Sequence, residues 1–115
     1  AIFSKKYINK GIYYFNMKSY CDMRGFLTFL VLRMISKKNI SGEEIRQELA
    51  RRKGCKPSPG TVYPVLKYLN KNRLIKEINS SGKLKKYQIT KSGEKELKSA
   101  TKKFVSIFRD MKEEF

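Results

Sequence analysis

The sequence lacks histidine altogether and contains only two cysteines among its 115 residues. Without histidine, a Cys–His nucleophile pair and the usual structural zinc sites are excluded. Cys21 and Cys55 also lack the C-x-x-C spacing of a metal site. We therefore expect two free thiols in a reducing cytoplasm, with no metal and no cofactor.

Catalytic motifs are missing as well. The sequence contains neither G-x-S-x-G nor a glycine-rich phosphate loop. Its acidic pairs, Glu43-Glu44 and Glu113-Glu114, are better explained as charges at a helix start and in a tail than as acid–base groups. The chain is therefore not expected to be an enzyme.

Long apolar runs are also absent. The longest, Phe26–Leu32, is interrupted by Thr28 and is too short to cross a bilayer. The N-terminal residues show no ordered signal-peptide pattern. These features predict a single soluble, cytoplasmic domain that does not enter a membrane.

Acidic residues are scarce: 10 stand against 27 lysines and arginines, which gives a formal net charge of +17. Such an excess favours a polyanionic partner. Residues 49–93 contain twelve basic residues and one acid, Glu77. The middle of the chain is therefore predicted to face the polyanion.

The N-terminal residues 1–16 combine lysines with several aromatic side chains and contain no acid. A helix, a strand and a disordered arm all remain open for this segment, although its aromatic residues argue that part of it packs. Met17 is an alternative start, which would make residues 1–16 an extension.

Two helices are predicted before residue 55. The first begins near Met23 and is apolar nearly all round, so it is either central to the core or shared with a partner chain. Ser41 and Glu44 form an S-x-x-E capping box at the start of the second. This second helix is expected to continue through residues 51–53 and to end at Gly54.

A third helix is predicted from within residues 58–61 to about Asn72. Its buried stripe consists of four apolar residues, Val62, Val65, Leu66 and Leu69. Pro59 suits the first helical position, and Pro64 costs at most one hydrogen bond, to Gly60.

Apolar and polar residues then alternate partially in Leu74–Ile78 and Leu84–Ile89, which predicts a hairpin joined by residues 79–82. In its second strand, Tyr87 and Ile89 should face inward and Lys86 and Gln88 outward. Thr90 then caps a final helix that reaches nearly to Phe115, with a heptad-like seam formed by Leu97, Ala100, Phe104, Ile107 and Met111. The order suits a winged helix-turn-helix, although periodicity alone leaves several α+β arrangements open.

The segments SPGTVYPVLKYLNKNRLI and KKYQITKSG resemble the paired signature of PadR-like winged-helix transcriptional regulators, and RGFLTFLVLRMI resembles the first helix of that family. Together they span residues 24–93. The resemblance implies an α+β, mostly helical fold: a winged helix-turn-helix with an additional C-terminal dimerisation helix, as in the compact branch of the family. It implies a homodimeric repressor that binds double-stranded DNA and whose C-terminal helix supplies the dimer contacts. Some members of the family release DNA on binding a small aromatic or lipophilic effector.

This resemblance divides the chain into three parts: an N-terminal extension over residues 1–16, a winged-helix DNA-binding domain over 17–92, and a C-terminal dimerisation helix over 93–115. The DNA contacts are expected on the side of the third helix opposite its buried stripe and on the hairpin. A helical wheel places Gly60, Pro64, Lys67 and Lys71 on that side. Thr61 and Tyr63 flank it, and Ser58 at the helix start is a candidate phosphate contact. On the hairpin the candidates are Lys83, Lys85 and Lys86.

Several of these candidates have a simpler alternative. Ser58 can serve only as an N-cap, Tyr63 only as a packing residue, and the hairpin lysines only as a solvated turn. The candidate dimer interface consists of Phe26, Leu30, Leu97, Phe104, Ile107, Phe108 and Met111. The alternative is that the last helix packs only on its own core.

Two other functions compete with a specific regulator. One is an architectural or RNA-binding protein that uses the same charge without reading bases. The other is a ligand-sensing or protein-docking module, in which four aromatic residues line a dimer cavity: Phe26, Phe29, Phe104 and Phe108. Core packing is the simpler explanation of those rings.

Overall fold

The structure, a computed structural model, describes residues 24–52, 57–80 and 84–114. These residues form four α-helices and a three-stranded antiparallel sheet. The elements are, in chain order, α1 (Arg24–Lys37), β1 (Ile40–Ser41), α2 (Gly42–Arg51), α3 (Pro59–Lys71), β2 (Ile75–Ser80), β3 (Leu84–Ile89) and α4 (Lys91–Met111), followed by a 3-10 turn (Lys112–Glu114). The predicted mostly helical α+β fold is confirmed. Cys21, Cys55 and the predicted extension over residues 1–16 lie outside the described residues.

The sheet has the strand order β1-β3-β2. Ile40 of β1 is opposite Tyr87, and Ile75 of β2 is opposite Ile89, so these side chains lie on the face that meets the helices. β1 was not predicted, because two residues are too few to show alternation. β2 begins one residue later and ends two residues later than predicted, at Ser80.

The core forms where α1, α2 and α3 meet the inner face of the sheet. Its buried apolar residues are Leu27, Val31, Leu32, Met34, Ile35, Ile40, Ile45, Leu49, Val62, Val65, Leu66, Leu69, Ile75 and Tyr87. All four residues of the predicted α3 stripe are among them, none more than 3% exposed. Burial of one such side chain stabilises the fold by roughly 1.5–3 kcal/mol, so this stripe fixes which side of α3 faces outward.

α2 begins with the predicted capping box. The Glu44 N–H donates to Ser41 Oγ at 3.2 Å, and the Ser41 N–H donates to Glu44 Oε1 at 3.0 Å. The bond from the Ser41 N–H favours the ionised carboxylate and holds the pKa of Glu44 below its usual value. The helix ends at Arg51, with Arg52 as its C-cap, so it is shorter than predicted; residues 53 and 54 lie outside the described ranges.

The turn from α3 into β2 places Arg73 in the left-handed region, at φ 60°. The Leu74 N–H donates to Leu69 O, and the Arg73 N–H to Asn70 O, which together form a Schellman-type helix end with arginine in the position usually held by glycine. Thr90 fastens α4 to this turn, because its hydroxyl donates to Arg73 O at 2.7 Å.

Candidate nucleic-acid interface

The segment before α3 is tied to α2 by an arginine. Arg46 Nε donates a hydrogen bond to the carbonyl oxygen of the buried Pro57 at 2.9 Å, and Arg46 Nη1 forms an ion pair with Glu43 Oε2 at 2.6 Å. This bond spans eleven residues of sequence and helps to set the angle between the two helices of the helix-turn-helix. Arg46 was not singled out from the sequence, because nothing local distinguishes it from the neighbouring basic residues.

The outer side of α3 carries the residues that the helical wheel predicted. Gly60, Pro64, Lys67 and Lys71 are all exposed, opposite the buried stripe. In the described part of the chain, neither lysine lies within ion-pair distance of a carboxylate. Their charge is therefore available to an external anion.

The basic residues at the end of α2 differ from these lysines. Arg51 pairs with Glu48, and Arg52 lies 3.6 Å from the same carboxylate. The Arg51 guanidinium hydrogen bond lowers the pKa of Glu48 and raises that of Arg51. Part of the positive charge of this helix end is thus already compensated within the chain.

At the start of α3, Ser58 occupies the N-cap position but its side chain makes no capping hydrogen bond. Its hydroxyl lies 3.3 Å from that of the half-buried Thr61, and both hydroxyls lie at the helix end where the macrodipole favours an anion. Pro59 is the first helical residue, so Pro64 is the sixth and removes one backbone bond, to Gly60 O.

Tyr63 is 45% exposed, and its ring lies against Gly42 at the start of α2. A β-carbon on Gly42 would come within 2.8 Å of Tyr63 Cε1, so glycine is what lets the ring lie there. Burial raises the pKa of Tyr87, and the nearby Glu77 carboxylate and Tyr63 phenol raise it further. Tyr63 thus connects α3 with both α2 and the hairpin, a role that its helical position alone does not reveal.

The hairpin lysines do not share one face. Lys85 lies on the same face as Tyr87 and is 69% exposed, whereas Lys86 is opposite Ser41 on the outward face, as predicted, and is half-buried. The Lys86 charge contributes to lowering the pKa of Glu44, which places it near the start of α2. Lys83 lies outside the described residues. Of the described pair, Lys85 is therefore the one on the face of the hairpin that meets the helices.

The candidate dimer residues divide into packed and exposed groups. The Phe104 ring packs within the chain against Phe26 and Phe29, with centroids 5.7 and 4.6 Å away. Leu97 packs on the core, and Leu30 and Met111 are half-buried. Three α4 side chains remain largely exposed: Ile107 (51%), Phe108 (50%) and Val105 (44%), the last not predicted.

No helix in residues 24–52, 57–80 and 84–114 is long and apolar enough to cross a membrane. Those residues also contain no group of three potential metal ligands of the types His, Cys, Asp and Glu.

A helix-turn-helix whose second helix turns a basic face outward beside a hairpin is the arrangement of winged-helix nucleic-acid-binding proteins. Residues 31–99 match the transcriptional regulator PadR-like family. The chain is 31% identical over 91 residues to an uncharacterized protein of Lysinibacillus sphaericus, an alignment that covers 74% of this chain and 84% of that protein. This chain belongs to the PadR-like family of transcriptional regulators.

Solved structures agree with this assignment. A PadR-like transcriptional regulator from Bacillus cereus ATCC 14579 is similar with a TM-score of 0.71 and 25% identity, covering 79% of this chain and 92% of that one. A PadR family transcription regulator from Clostridium difficile R20291 is similar with a TM-score of 0.65 and 27% identity, covering 76% of this chain and 96% of that one. The family identifies the chain as a DNA-binding regulator, and the prediction that it is not an enzyme is confirmed by that membership.

Proposed function

We propose that the chain is a dimeric, sequence-specific repressor acting in the cytoplasm, with residues 17–92 binding double-stranded DNA and residues 93–115 forming the dimer. The observation that carries this proposal is the outer face of α3. It lies opposite a fully buried stripe, and it carries Lys67 and Lys71 without an ion-pair partner among the described residues.

The proposed reading helix is α3, which enters the major groove with its N-terminal half nearest the bases. Lys67 donates to guanine O6 or N7, Thr61 reaches a base or a phosphate, and the Pro64 ring lies against a thymine methyl. Lys71, one turn further along, contacts a phosphate. Gly60 leaves room for the backbone to approach the DNA closely, since it has no side chain.

The flanking contacts in this proposal are electrostatic. Ser58 and the first-turn N–H groups of α3 bind a phosphate with help from the helix dipole. Tyr63, which is 45% exposed, contributes its hydroxyl. The hairpin acts as the wing, and Lys83, Lys85 and Lys86 contact the flanking backbone or minor groove.

Selection of bound sequences from a random duplex pool, followed by titration at two salt concentrations, tests this function. We expect a palindromic site, because a symmetric dimer binds two related half-sites. Binding that is weak, or equal for the selected and scrambled duplexes, would refute sequence-specific regulation.

Two substitutions then separate base reading from phosphate binding. Lys67→Ala should lose about 1–3 kcal/mol of discrimination at one base pair. Lys71→Ala should weaken all duplexes alike and reduce the salt slope by about 1. Lys98→Ala, an exposed lysine on α4, is the control with the same change in charge. If Lys67→Ala weakens every sequence evenly, an architectural or RNA-binding role without base readout is favoured.

The dimer rests on the outer side of α4. Ile107 and Phe108 are apolar and about half exposed, with Val105 beside Phe108 on the helix, and covering these side chains would be favourable. Phe104 and Phe26 pack against each other within the chain and would hold α4 in place behind this surface. Sedimentation at micromolar concentration should give twice 13.5 kDa, and Phe108→Asp should give the monomer. A wild-type monomer at that concentration would refute the dimer.

Release of DNA by a lipophilic or aromatic effector stays a prediction from the family resemblance. A cavity between α1 and α4, lined by Thr28, Phe29 and Phe104 among others, is the place to look for it. Titration of small aromatic compounds into the protein–DNA complex is the test, and a promoter–reporter assay decides the sign of regulation.

A further inference from the structure

Glu77 is the only acid in residues 49–93, and it lies on the hairpin among basic residues. It is opposite Tyr87 in the strand register, and Lys85 is two residues from Tyr87 on β3, so the three side chains lie on one face. Glu77 Oε1 is 4.0 Å from Lys85 Nζ. The carboxylate thus lies beside Lys85 on the face of the hairpin that meets the helices.

This face continues from the core towards the proposed DNA surface. Ile75 and Tyr87 are its buried end, and Tyr63 of α3 lies close enough to affect the ionisation of Tyr87. Beyond them the face becomes exposed, with side-chain exposures of 44% for Glu77 and 69% for Lys85. Both charges can therefore meet an approaching duplex.

The pairing makes Lys85 different from the lysines of α3. No carboxylate of the described residues lies within 4.0 Å of Lys67 or Lys71, whereas Glu77 at 4.0 Å offsets part of the charge of Lys85. An exposed pair at 4.0 Å contributes little to stability, so Lys85 can leave Glu77 at small cost. It will do so only where a phosphate is held at a fixed, favourable distance.

We propose that Glu77 makes Lys85 a conditional phosphate ligand, which binds the DNA backbone in the specific complex and stays paired with Glu77 in non-specific ones. This inference rests on the proposed function. Base contacts by α3 fix the register of a specific complex, so the wing meets one phosphate steadily. Non-specific complexes shift along the DNA and depend almost entirely on phosphate contacts. Withholding one such contact from them raises specificity.

The salt dependence of binding tests this proposal, because each neutralised phosphate adds about 0.9 to the slope of log affinity against log salt concentration. Glu77→Gln should steepen the slope on a scrambled duplex by about 0.9 and leave that on the selected duplex unchanged. Raising salt from 50 to 200 mM would then weaken scrambled-duplex binding about 3.5-fold more for the variant than for the wild type. Lys85→Met should do the opposite: the slope falls by about 0.9 on the selected duplex and is unchanged on the scrambled one.

Two controls accompany these variants. Glu96→Gln, at an exposed site on α4, changes the net charge by the same amount and should leave both slopes at wild-type values. Glu77→Asp keeps the carboxylate and should keep the low non-specific slope, which excludes misfolding as the cause. Thermal melts of all variants check the fold.

The inference is overturned if Glu77→Gln matches Glu96→Gln, if it shifts both slopes equally, or if Lys85→Met leaves the selected-duplex slope unchanged. Each of these results leaves specific binding by the wild type intact. A wild type that binds the selected and scrambled duplexes alike would instead refute the proposed function, and the inference with it.

Discussion

Gly93, the third residue of α4, gives the sharpest test of how the C-terminal helix is attached. Its N–H donates to Thr90 Oγ1 at 3.0 Å, and the Thr90 N–H donates to Leu74 O at 3.0 Å. A β-carbon on Gly93 would lie 2.1 Å from Leu74 O and 2.7 Å from Ile89 Cγ1. The first of these neighbours is backbone, so it cannot rotate away. In Gly93→Ala, either α4 or the α3–β2 turn must move.

The sign of the effect follows from two opposing magnitudes. Helix propensity alone favours alanine over glycine by roughly 0.5–1 kcal/mol. Overpacking against a rigid neighbour costs about 1–3 kcal/mol or more, and disturbing the Thr90 cap costs about 1 kcal/mol in addition. The overpacking and the lost cap outweigh propensity, so we expect Gly93→Ala to lower the free energy of unfolding by about 2 kcal/mol or more.

Urea unfolding followed by circular dichroism measures this change as a lower midpoint at unchanged slope. The matched control is Gly25→Ala in α1, where no described atom lies within 4 Å of the added β-carbon and propensity should stabilise the helix by up to about 1 kcal/mol. If Gly93→Ala is as stable as the wild type, α4 does not approach the turn as described, and the orientation of the proposed dimer surface falls with it.

Three further predictions concern the surface around α3. Gly42→Ala should displace the hydroxyl end of the Tyr63 ring, which costs less than about 1 kcal/mol in urea unfolding because the ring can shift, but changes DNA affinity in a titration. The folded-state pKa of Glu44 lies below its ordinary 4.5, so the stabilisation from the ionised carboxylate is present above pH 4.5 and is lost as pH falls through the folded value. Glu44→Gln should therefore make the free energy of unfolding less dependent on pH in the acid range, as urea midpoints across that range will show. Pro64→Ala returns an N–H that can donate to Gly60 O, so stability should hold or rise by about 1 kcal/mol while affinity for the selected duplex changes; an unchanged affinity would contradict its place on the DNA face.

Local features of this fold were predictable from the sequence because they depend on residues a few positions apart. In the Ser41–Glu44 box and in the Thr90 cap, a hydroxyl accepts a hydrogen bond from the backbone N–H three residues later, and both occur as predicted. The α3 stripe follows from helical period alone. The family followed from the motif pair around α3 and the hairpin, whose residues lie within one continuous stretch.

Features that depend on distant residues were not predictable in the same way. β1 exists because Ile40 and Ser41 meet β3 in space, not because of their own pattern. Gly42 and Tyr63, or Gly93 and Leu74, approach each other only once α2, α3 and α4 have packed. A sequence alone shows a glycine in each place, without the neighbour that requires it.

The class of protein was recognisable in the sequence because the motif pair around α3 and the hairpin resembles one family. The buried stripe of α3 and the concentration of positive charge in the middle of the chain follow from helical period and composition, which are properties of the chain alone. Which of those charges lie close to a carboxylate depends on how the chain folds. Lys67 and Lys71 form no ion pair with a described carboxylate, whereas Lys85 lies 4.0 Å from Glu77 and Lys86, opposite Ser41, helps to lower the pKa of Glu44. Coulomb interactions depend on distance in space, and the packing of the helices against the hairpin sets that distance.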